Sequence, residues 1–293
     1  MENLYYIANY VGLMLPSDVH ERRPEVPIHL QEVGVTGIRI PIRVSLGRRS
    51  SIMVPKVSAF IDLPARQKGI HASRSSEAIA EAVSEEAGKQ VRIEELCVKI
   101  AGKLLQKHPY ARSAKVSANG EAVMAEKTPV TKVRTFEPYV LQGSARAWRE
   151  GRTIRTSKMV GVEIVGMTVC PCASHMQRSH SSIAIEVPES YGLNALTLIK
   201  IAEEAMSAPA YEVLKREDEI ALVKKAERRP RFAEDCLRVM AKGLIDSFSD
   251  LPDQSRVSFS VKSLESIHRH DFLARRDATL GILRSEVKSG GDI

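Results

Sequence analysis

Two cysteines, a histidine and an arginine lie within one ten-residue stretch in the second half of the chain. Cys170 and Cys172 flank a proline, His175 lies three residues after Cys172, and Arg178 lies three residues after His175. Thiolate sulfur and imidazole nitrogen are the usual ligands of zinc and also bind ferrous iron. A guanidinium makes bidentate contacts with phosphate. The stretch therefore indicates a metal site beside an anion contact, although free cysteines are also common as small core residues.

A second group of candidate residues follows an alternating run near the C-terminus. Val257, Phe259 and Val261 alternate with polar residues, the pattern of a strand with one buried face. His268 is then expected at the mouth of that strand, within reach of a metal, although taken alone it fits a surface histidine equally well. Glu265 fits either a proton shuttle beside the metal or an exposed glutamate at a strand end.

Cationic residues also cluster in the first half of the chain. Lys68, His71 and Arg74 surround Gly69, which lets the backbone turn sharply, and they lie just before a predicted helix start. Helix N-termini bind anions, so these three residues are candidates for phosphate binding. Arg178 is a fourth candidate, because its guanidinium can bind phosphate through two hydrogen bonds. Each of them taken singly fits a solvated surface charge.

Composition limits the class of protein. A chain of 293 residues is longer than one usual core, so we expect two domains, 1–150 and 151–293. No apolar run approaches the roughly 20 residues that span a bilayer, and the start lacks the features of a secretory signal. Four cysteines without a disulfide framework predict a reduced, cytoplasmic protein. The formal charge of +7 favours anionic ligands, but an aromatic content of 5% without a basic stripe argues against nucleic acid.

The chain reads as two similar halves, each with two strands, then helices, then strands. Predicted strands cover 33–44, 52–63, 111–123, 135–148, 159–169, 181–187 and a segment around 257–261. The first predicted helix opens at Ser75 as an N-cap, and the second is lined by Ile93 and Leu104. Further helices are predicted at 196–207, 211–226 and 232–248. This order predicts an α+β fold in which helices cover one face of antiparallel sheets, leaving the other face for another sheet or a neighbouring subunit.

Six motifs carry a resemblance to a known family. In chain order they are PKVSAFIDLP at 55–64, QKGIHASR at 67–74, CPC at 170–172 with HMQRS at 175–179, LKREDE at 214–219, FAED at 232–235 and ESIH at 265–268. Together they resemble the GTP cyclohydrolase type IB family over most of the chain. One departure is the loop between Cys172 and His175, which is usually longer in the family.

The resemblance implies a fold, a metal and an assembly. The fold is the tunnelling fold, with two ββααββ modules per subunit, assembled into a homotetramer with active sites between subunits. The implied ligands of one divalent metal per subunit, Fe(II) first and Zn or Mn as alternatives, are Cys170, His175, Glu219 and His268. Glu234 matches the carboxylate that anchors the purine. Taken with the residue chemistry above, Cys170, Glu265 and His268 are the candidate catalytic residues.

The implied activity is hydrolysis of GTP at C8, with release of formate and formation of a dihydropterin. A metal lowers the pKa of bound water to about 7, and a carboxylate can accept both guanine donors, so the residue types suit this chemistry. The archaeal branch implies 7,8-dihydroneopterin 2′,3′-cyclic phosphate for methanopterin, and the bacterial branch implies dihydroneopterin triphosphate for folate. A nitrile reductase of the same fold lacks support from any nicotinamide-related motif. A basic binding module with a structural zinc remains the alternative from another class.

Overall fold

The computed structural model describes residues 18–290 as an α+β fold built on one long antiparallel sheet. The strands are β1 (Leu30–Arg39), β2 (Ile42–Leu46), β3 (Arg49–Met53), β4 (Lys56–Leu63), β5 (Ser113–Lys127), β6 (Arg134–Glu150), β7 (Thr153–Val169), β8 (Met176–Pro188), β9 (Ala208–Pro209), β10 (Arg256–Ser263) and β11 (Phe272–Thr279). The α-helices are α1 (Ala72–Glu85), α2 (Ile93–Lys107), α3 (Ala195–Ala205), α4 (Arg216–Glu227), α5 (Ala233–Ser247) and α6 (Leu280–Lys288).

The sheet runs without interruption through both halves of the chain. Its strand order is β1-β4-β5-β6-β7-β8-β10-β11, with β9 added beside β7 and β2 paired with β3 in a separate hairpin. β6 and β7 pair from Val140 and Glu163 to Glu150 and Thr153, and the turn between them contains Gly151 with a φ of 61°. The predicted border between residues 150 and 151 falls in this turn. The division into two domains stays a prediction.

Several predicted element boundaries are wrong. The first two predicted strands, 33–44 and 52–63, are four strands, because Pro41 separates β1 from β2 and a turn at Gly47 (φ 70°) joins β2 to β3. Proline has no N–H to donate to a ladder, and glycine adopts positive φ without strain. The predicted helix 211–226 begins only at Arg216. The order strands, helices, strands in each half is confirmed.

One face of the sheet carries the helices and the core. In β4, Val57, Ala59 and Ile61 are buried and pack in the same cluster as the helices, whereas the residues between them are partly exposed. In β8, Ile183 and Ile185 are buried in the same way, and the intervening residues reach the opposite face. The α+β prediction with helices on one face is confirmed. None of the helices within residues 18–290 has the length and apolar character needed to cross a membrane.

Candidate metal centre and anion site

A tight hairpin loop brings Cys170 and His175 together. β7 ends at Val169 and β8 begins at Met176, which pair directly. The Cys170 N–H donates to the His175 carbonyl at 3.0 Å, and the Ser174 N–H donates to the Cys170 carbonyl at 2.8 Å. Ser174 adopts a φ of 55°, a conformation uncommon for a residue with a side chain. The short loop therefore holds Cys170 and His175 as facing residues, with Cys170 partly buried and Cys172 exposed.

Glu265 and His268 approach the same loop from the neighbouring strand. β10 pairs with β8 up to Ser263 and Ser179, and the Leu264 N–H extends the pairing by donating to the Arg178 carbonyl at 2.9 Å. A carboxylate oxygen of Glu265 then lies 3.6 Å from Nε2 of His175. The ring centroids of His175 and His268 are 6.5 Å apart. The predicted position of His268 beyond the strand end is confirmed.

Glu265 is held in place rather than free in solvent. Its side chain is only 13% exposed, and its second carboxylate oxygen accepts a hydrogen bond from Nε2 of Gln177 at 3.2 Å. Of the two interpretations left open by the sequence, the exposed strand-end glutamate is therefore wrong. The carboxylate faces the His175 imidazole at a distance longer than a direct hydrogen bond.

Three buried hydroxyls lie one layer beneath these loops. Thr168, Ser179 and Ser263 come from β7, β8 and β10, and each is at most 2% exposed. The Thr168 and Ser179 oxygens are 2.7 Å apart, and each lies 3.2 Å from the Ser263 oxygen. Hydrogen bonds within a buried cluster cross-link the three strand ends, so the residues above them rest on a rigid base.

Helix α4 brings Glu219 to the same end of the sheet. Leu222 and Ala226 of α4 pack in a small cluster with Val169, the residue before Cys170. Glu219 lies three residues before Leu222, so the two share one face of the helix. The Glu219 side chain is exposed.

Asp218, which the sequence analysis missed, fixes the start of α4. Its side chain is fully buried and accepts hydrogen bonds from the N–H groups of Val130 and Thr131, both at 2.9 Å, and from the Lys215 N–H at 3.2 Å. Burial opposes ionisation, yet these hydrogen bonds and that of the Thr131 hydroxyl hold the pKa of Asp218 well below its usual range. The β5–β6 loop is thereby tied to the helix that carries Glu219.

Glu234 also lies at this end. An isolated bridge pairs Arg231 with Val169, and Glu234 is the second residue of α5, three residues further on. It lines an open groove of about 610 Å³ between α5, α6 and β11, together with three arginines and an apolar floor. The arginines are Arg238, Arg275 and Arg276. Each arginine is paired with another carboxylate, Arg238 with Asp235, Arg275 with Asp277 and Arg276 with Glu286, which also lines the groove.

The phosphate candidates do not join this cluster. Arg178 lies in β8 but is exposed on the face opposite buried Gln177 and Ser179. Lys68 and His71 lie in the loop after β4, where the Lys68 N–H donates to the carbonyls of His20 and Arg22 at 3.1 and 2.9 Å. His71 is the N-cap residue of α1, and Arg74 is in its first turn.

The predicted N-cap at Ser75 is wrong. The helix begins at Ala72, three residues earlier, and Ser75 is buried inside its first turn. The Ser75 hydroxyl lies 3.1 Å from Nε2 of His108, and Nδ1 of His108 lies 2.9 Å from the Tyr110 hydroxyl. The Ser75 hydroxyl therefore contacts His108, 33 residues further along the chain, and does not cap the helix. Burial, followed by the nearby charges of Arg74 and His71, lowers the pKa of His108 to about 4.

The two predicted clusters lie at opposite ends of the sheet. Ile61, near the end of β4, pairs with Ala114 of β5. Ala114 pairs in turn with Ala147 of β6, and Ala147 pairs with Thr156 near the start of β7. The candidate metal loop follows the other end of β7, at Val169. At about 3.3 Å per residue, over 40 Å of strand separates these levels. Within one chain, Lys68, His71 and Arg74 therefore do not meet Cys170 and His175.

The fold is shared with solved structures of another enzyme class. Uricase from Arthrobacter globiformis superposes with a TM-score of 0.53 over 85% of this chain and 93% of that chain, at 8% identity. A uricase from Bacillus fastidious gives a TM-score of 0.53 over 90% and 97%, at 9% identity. Identities this low carry information about the fold alone. The chain has the tunnelling fold, as predicted.

Sequence similarity identifies the family. The family model described as type I GTP cyclohydrolase folE2 matches residues 16–274, so the chain belongs to that family. The chain is similar to the GTP cyclohydrolase MptA of Methanothermobacter thermautotrophicus, with 38% identity over 95% of this chain and 98% of that protein. The GTP cyclohydrolase MptA of Methanococcus aeolicus is also 38% identical, over 92% of this chain and 99% of its own length. The predicted family resemblance is confirmed.

Proposed function

We propose that this chain is a metal-dependent GTP cyclohydrolase that hydrolyses C8 of GTP, releases formate and forms 7,8-dihydroneopterin 2′,3′-cyclic phosphate for methanopterin biosynthesis. Family membership and the names of the similar archaeal proteins support the activity. All four cysteines are free, which fits a reducing cytoplasm. The observation that carries the proposal is the convergence of Cys170, His175, Glu265 and His268 at one end of the sheet.

The types of side chain at this end support a divalent metal ion. Nδ1 of His175 is buried and has no hydrogen-bond partner among residues 18–290, so its lone pair is free for a ligand. A thiolate from Cys170, imidazoles from His175 and His268 and a carboxylate from Glu219 form a mixed sulfur, nitrogen and oxygen set. Such a set suits ferrous iron, with zinc or manganese as alternatives. When bound, the ion supplies Lewis-acid activation of the water that attacks C8.

Glu265 is the residue best placed to move protons. Its carboxylate is 3.6 Å from Nε2 of His175 and is oriented by Gln177. Opening the imidazole ring requires a proton to leave the attacking water and another to reach a ring nitrogen. A carboxylate fixed beside the ligand histidine can carry out both transfers within the same site.

Glu234 anchors the guanine base. A carboxylate has two acceptor oxygens, so it can accept hydrogen bonds from N1–H and from the exocyclic amino group together. A neutral amide side chain has only one acceptor oxygen. The bridge between Arg231 and Val169, the residue before Cys170, supports a guanine site at the same end of the sheet as the proposed metal ligands.

The triphosphate is bound by Lys68, His71, Arg74 and Arg178, with the first three supplied by another subunit. Because these three lie at the far end of the sheet from Cys170, a second copy of the chain must bring them to the metal centre. The helix-free face of the sheet, with Arg178, Ser182 and Glu186 on β8, offers a polar surface for that assembly. We propose that the assembly is a homotetramer with shared active sites.

Turnover under defined metal loading tests the proposal. Chelator-treated protein is reloaded with Fe(II), Mn(II) or Zn(II) without oxygen, and GTP conversion is followed by the fluorescence of the oxidised pterin product. We expect turnover that depends on the ion and is lost in Cys170→Ala. A protein that binds an ion tightly but converts no GTP with any of the three would instead be a binding module with a structural metal.

A further inference from the structure

Three metal-ligating side chains converge near the start of α1, at the opposite end of the sheet from Cys170. They are Asp18, His20 and His71, and their ligand atoms all lie within 4.8 Å of one another. One Asp18 oxygen is 2.9 Å from Nδ1 of His20, and the other is 3.4 Å from Nε2 of His71. The two imidazole centroids are 4.7 Å apart. Two histidines and one carboxylate form a recurrent ligand set for divalent transition metals.

The spacing suits coordination better than direct hydrogen bonding at His71. Metal bonds of 2.0–2.1 Å at tetrahedral angles place neighbouring ligand atoms about 3.3 Å apart. The 3.4 Å between Asp18 and Nε2 of His71 matches that separation and is long for an N–H···O bond. This nitrogen is buried and has no hydrogen-bond partner among residues 18–290. A metal ion would satisfy it.

The fold holds the three ligands on two segments that are clamped together. The His20 carbonyl accepts hydrogen bonds from the N–H groups of Lys68 and Gly69, at 3.1 and 3.2 Å. A side-chain carbon added to Gly69 would lie 3.2 Å from the His20 ring, so the loop approaches that ring closely. The His71 side chain is 14% exposed, whereas Asp18 and His20 remain accessible from solvent.

Asp18 is the one acidic residue among the three ligands, and its carboxylate accepts a hydrogen bond from the His20 N–H at 2.9 Å. Lys68 and Arg74 nearby, together with the helix N-terminus, would disfavour a bare dication. Three protein ligands leave coordination positions open, so an anion from solution or substrate can complete the shell and offset this repulsion.

We propose that Asp18, His20 and His71 form a second metal site, which binds a divalent transition metal ion independently of the centre at Cys170. The site is free of sulfur and leaves open positions for an anionic oxygen. It adds a metal-mediated contact to the cationic loop, which binds phosphate in the proposed function, but its occupancy does not depend on catalysis.

Cobalt substitution of the full-length protein separates the two sites. Co²⁺ bound to a thiolate gives a sulfur-to-metal charge-transfer band, and Co²⁺ bound only to nitrogen and oxygen does not. We expect the wild type to bind two equivalents per chain. His20→Ala should lose one equivalent while the charge-transfer band keeps its intensity, and Cys170→Ala should lose the band. Asp18→Asn should behave like His20→Ala.

His29→Ala is the matched control. His29 also pairs with a carboxylate, lying 3.4 Å from Asp62, but no third ligand stands beside it in the described part of the chain, residues 18–290. This variant should keep both equivalents. Full Co²⁺ stoichiometry in both His20→Ala and Asp18→Asn would overturn the second site. Loss of the charge-transfer band in His20→Ala, with unchanged circular dichroism, would also overturn it, because the sites would not be independent. Failure of GTP turnover would leave these outcomes unaffected.

Discussion

Acid should destabilise the protein through His108, a buried histidine that links α2 to the helix carrying His71 and Arg74. His108 is fully buried between Ser75 and Tyr110, and burial lowers its pKa to about 4. The unfolded chain has a histidine pKa of about 6.5. Between these values the unfolded state binds more protons, so stability is fully present above pH 6.5 and falls as the pH drops towards 4.

The size of the effect follows from the two pKa values. A separation of about 2.5 units corresponds to about 3 kcal/mol at most, since each unit is worth 1.36 kcal/mol. Solvent screens the contributions of the partly exposed Arg74 and Lys107, so we expect about 2 kcal/mol to be lost between pH 7.5 and 4.5. His108→Gln stays neutral throughout and should lack this component, although it begins from lower stability.

Urea unfolding at a fixed protein concentration measures the effect, because assembly makes apparent stability depend on concentration. Carboxylates titrate equally in the wild type and in His108→Gln, so the difference between their pH profiles isolates the histidine. The two profiles should converge as the pH falls. Parallel profiles between pH 7.5 and 4.5 would refute the account of His108 as a neutral, buried link.

Five variants test the proposed active site. Cys170→Ala should lose bound metal measured by elemental analysis, while Cys172→Ala, which alters an exposed thiol, should retain it. Glu234→Gln should weaken GTP binding by roughly tenfold or more in calorimetry, since one guanine donor loses its acceptor, and metal content should stay constant. Glu265→Gln should lower kcat with little change in KM or metal content, and an unchanged kcat would remove its role in proton transfer. Mixing inactive Cys170→Ala with inactive His71→Ala should restore part of the activity, whereas no recovery after verified subunit exchange would contradict a site shared between chains.

Local patterns predicted the elements well where short-range rules dominate. The alternating Val257, Phe259 and Val261 predicted a strand with one buried face, and all three are buried in β10. Cys97 and Cys236 each lie alone in the sequence, away from Cys170 and Cys172. Both cysteines are buried in helices, and burial raises the pKa of each thiol. These outcomes depend on periods of two and 3.6 residues, which the sequence displays directly.

Features that depend on distant partners could not be read from the chain. Ser75 has the residue type of an N-cap, but its hydroxyl lies within hydrogen-bond distance of His108 at the end of α2. The role of Asp218 depends on the β5–β6 loop more than 80 residues away. The separation of Lys68 from Cys170 follows from strand order and register, which motif spacing does not contain.

The fate of C8 of GTP tests the central claim most directly. Metal-loaded protein is incubated with GTP labelled with ¹³C at C8, and the reaction is followed by NMR. The account predicts labelled formate in equal amount to the dihydropterin, with neither formed by Cys170→Ala. Consumption of GTP that leaves the label in a purine or formamide product would contradict complete hydrolysis at C8 by this site.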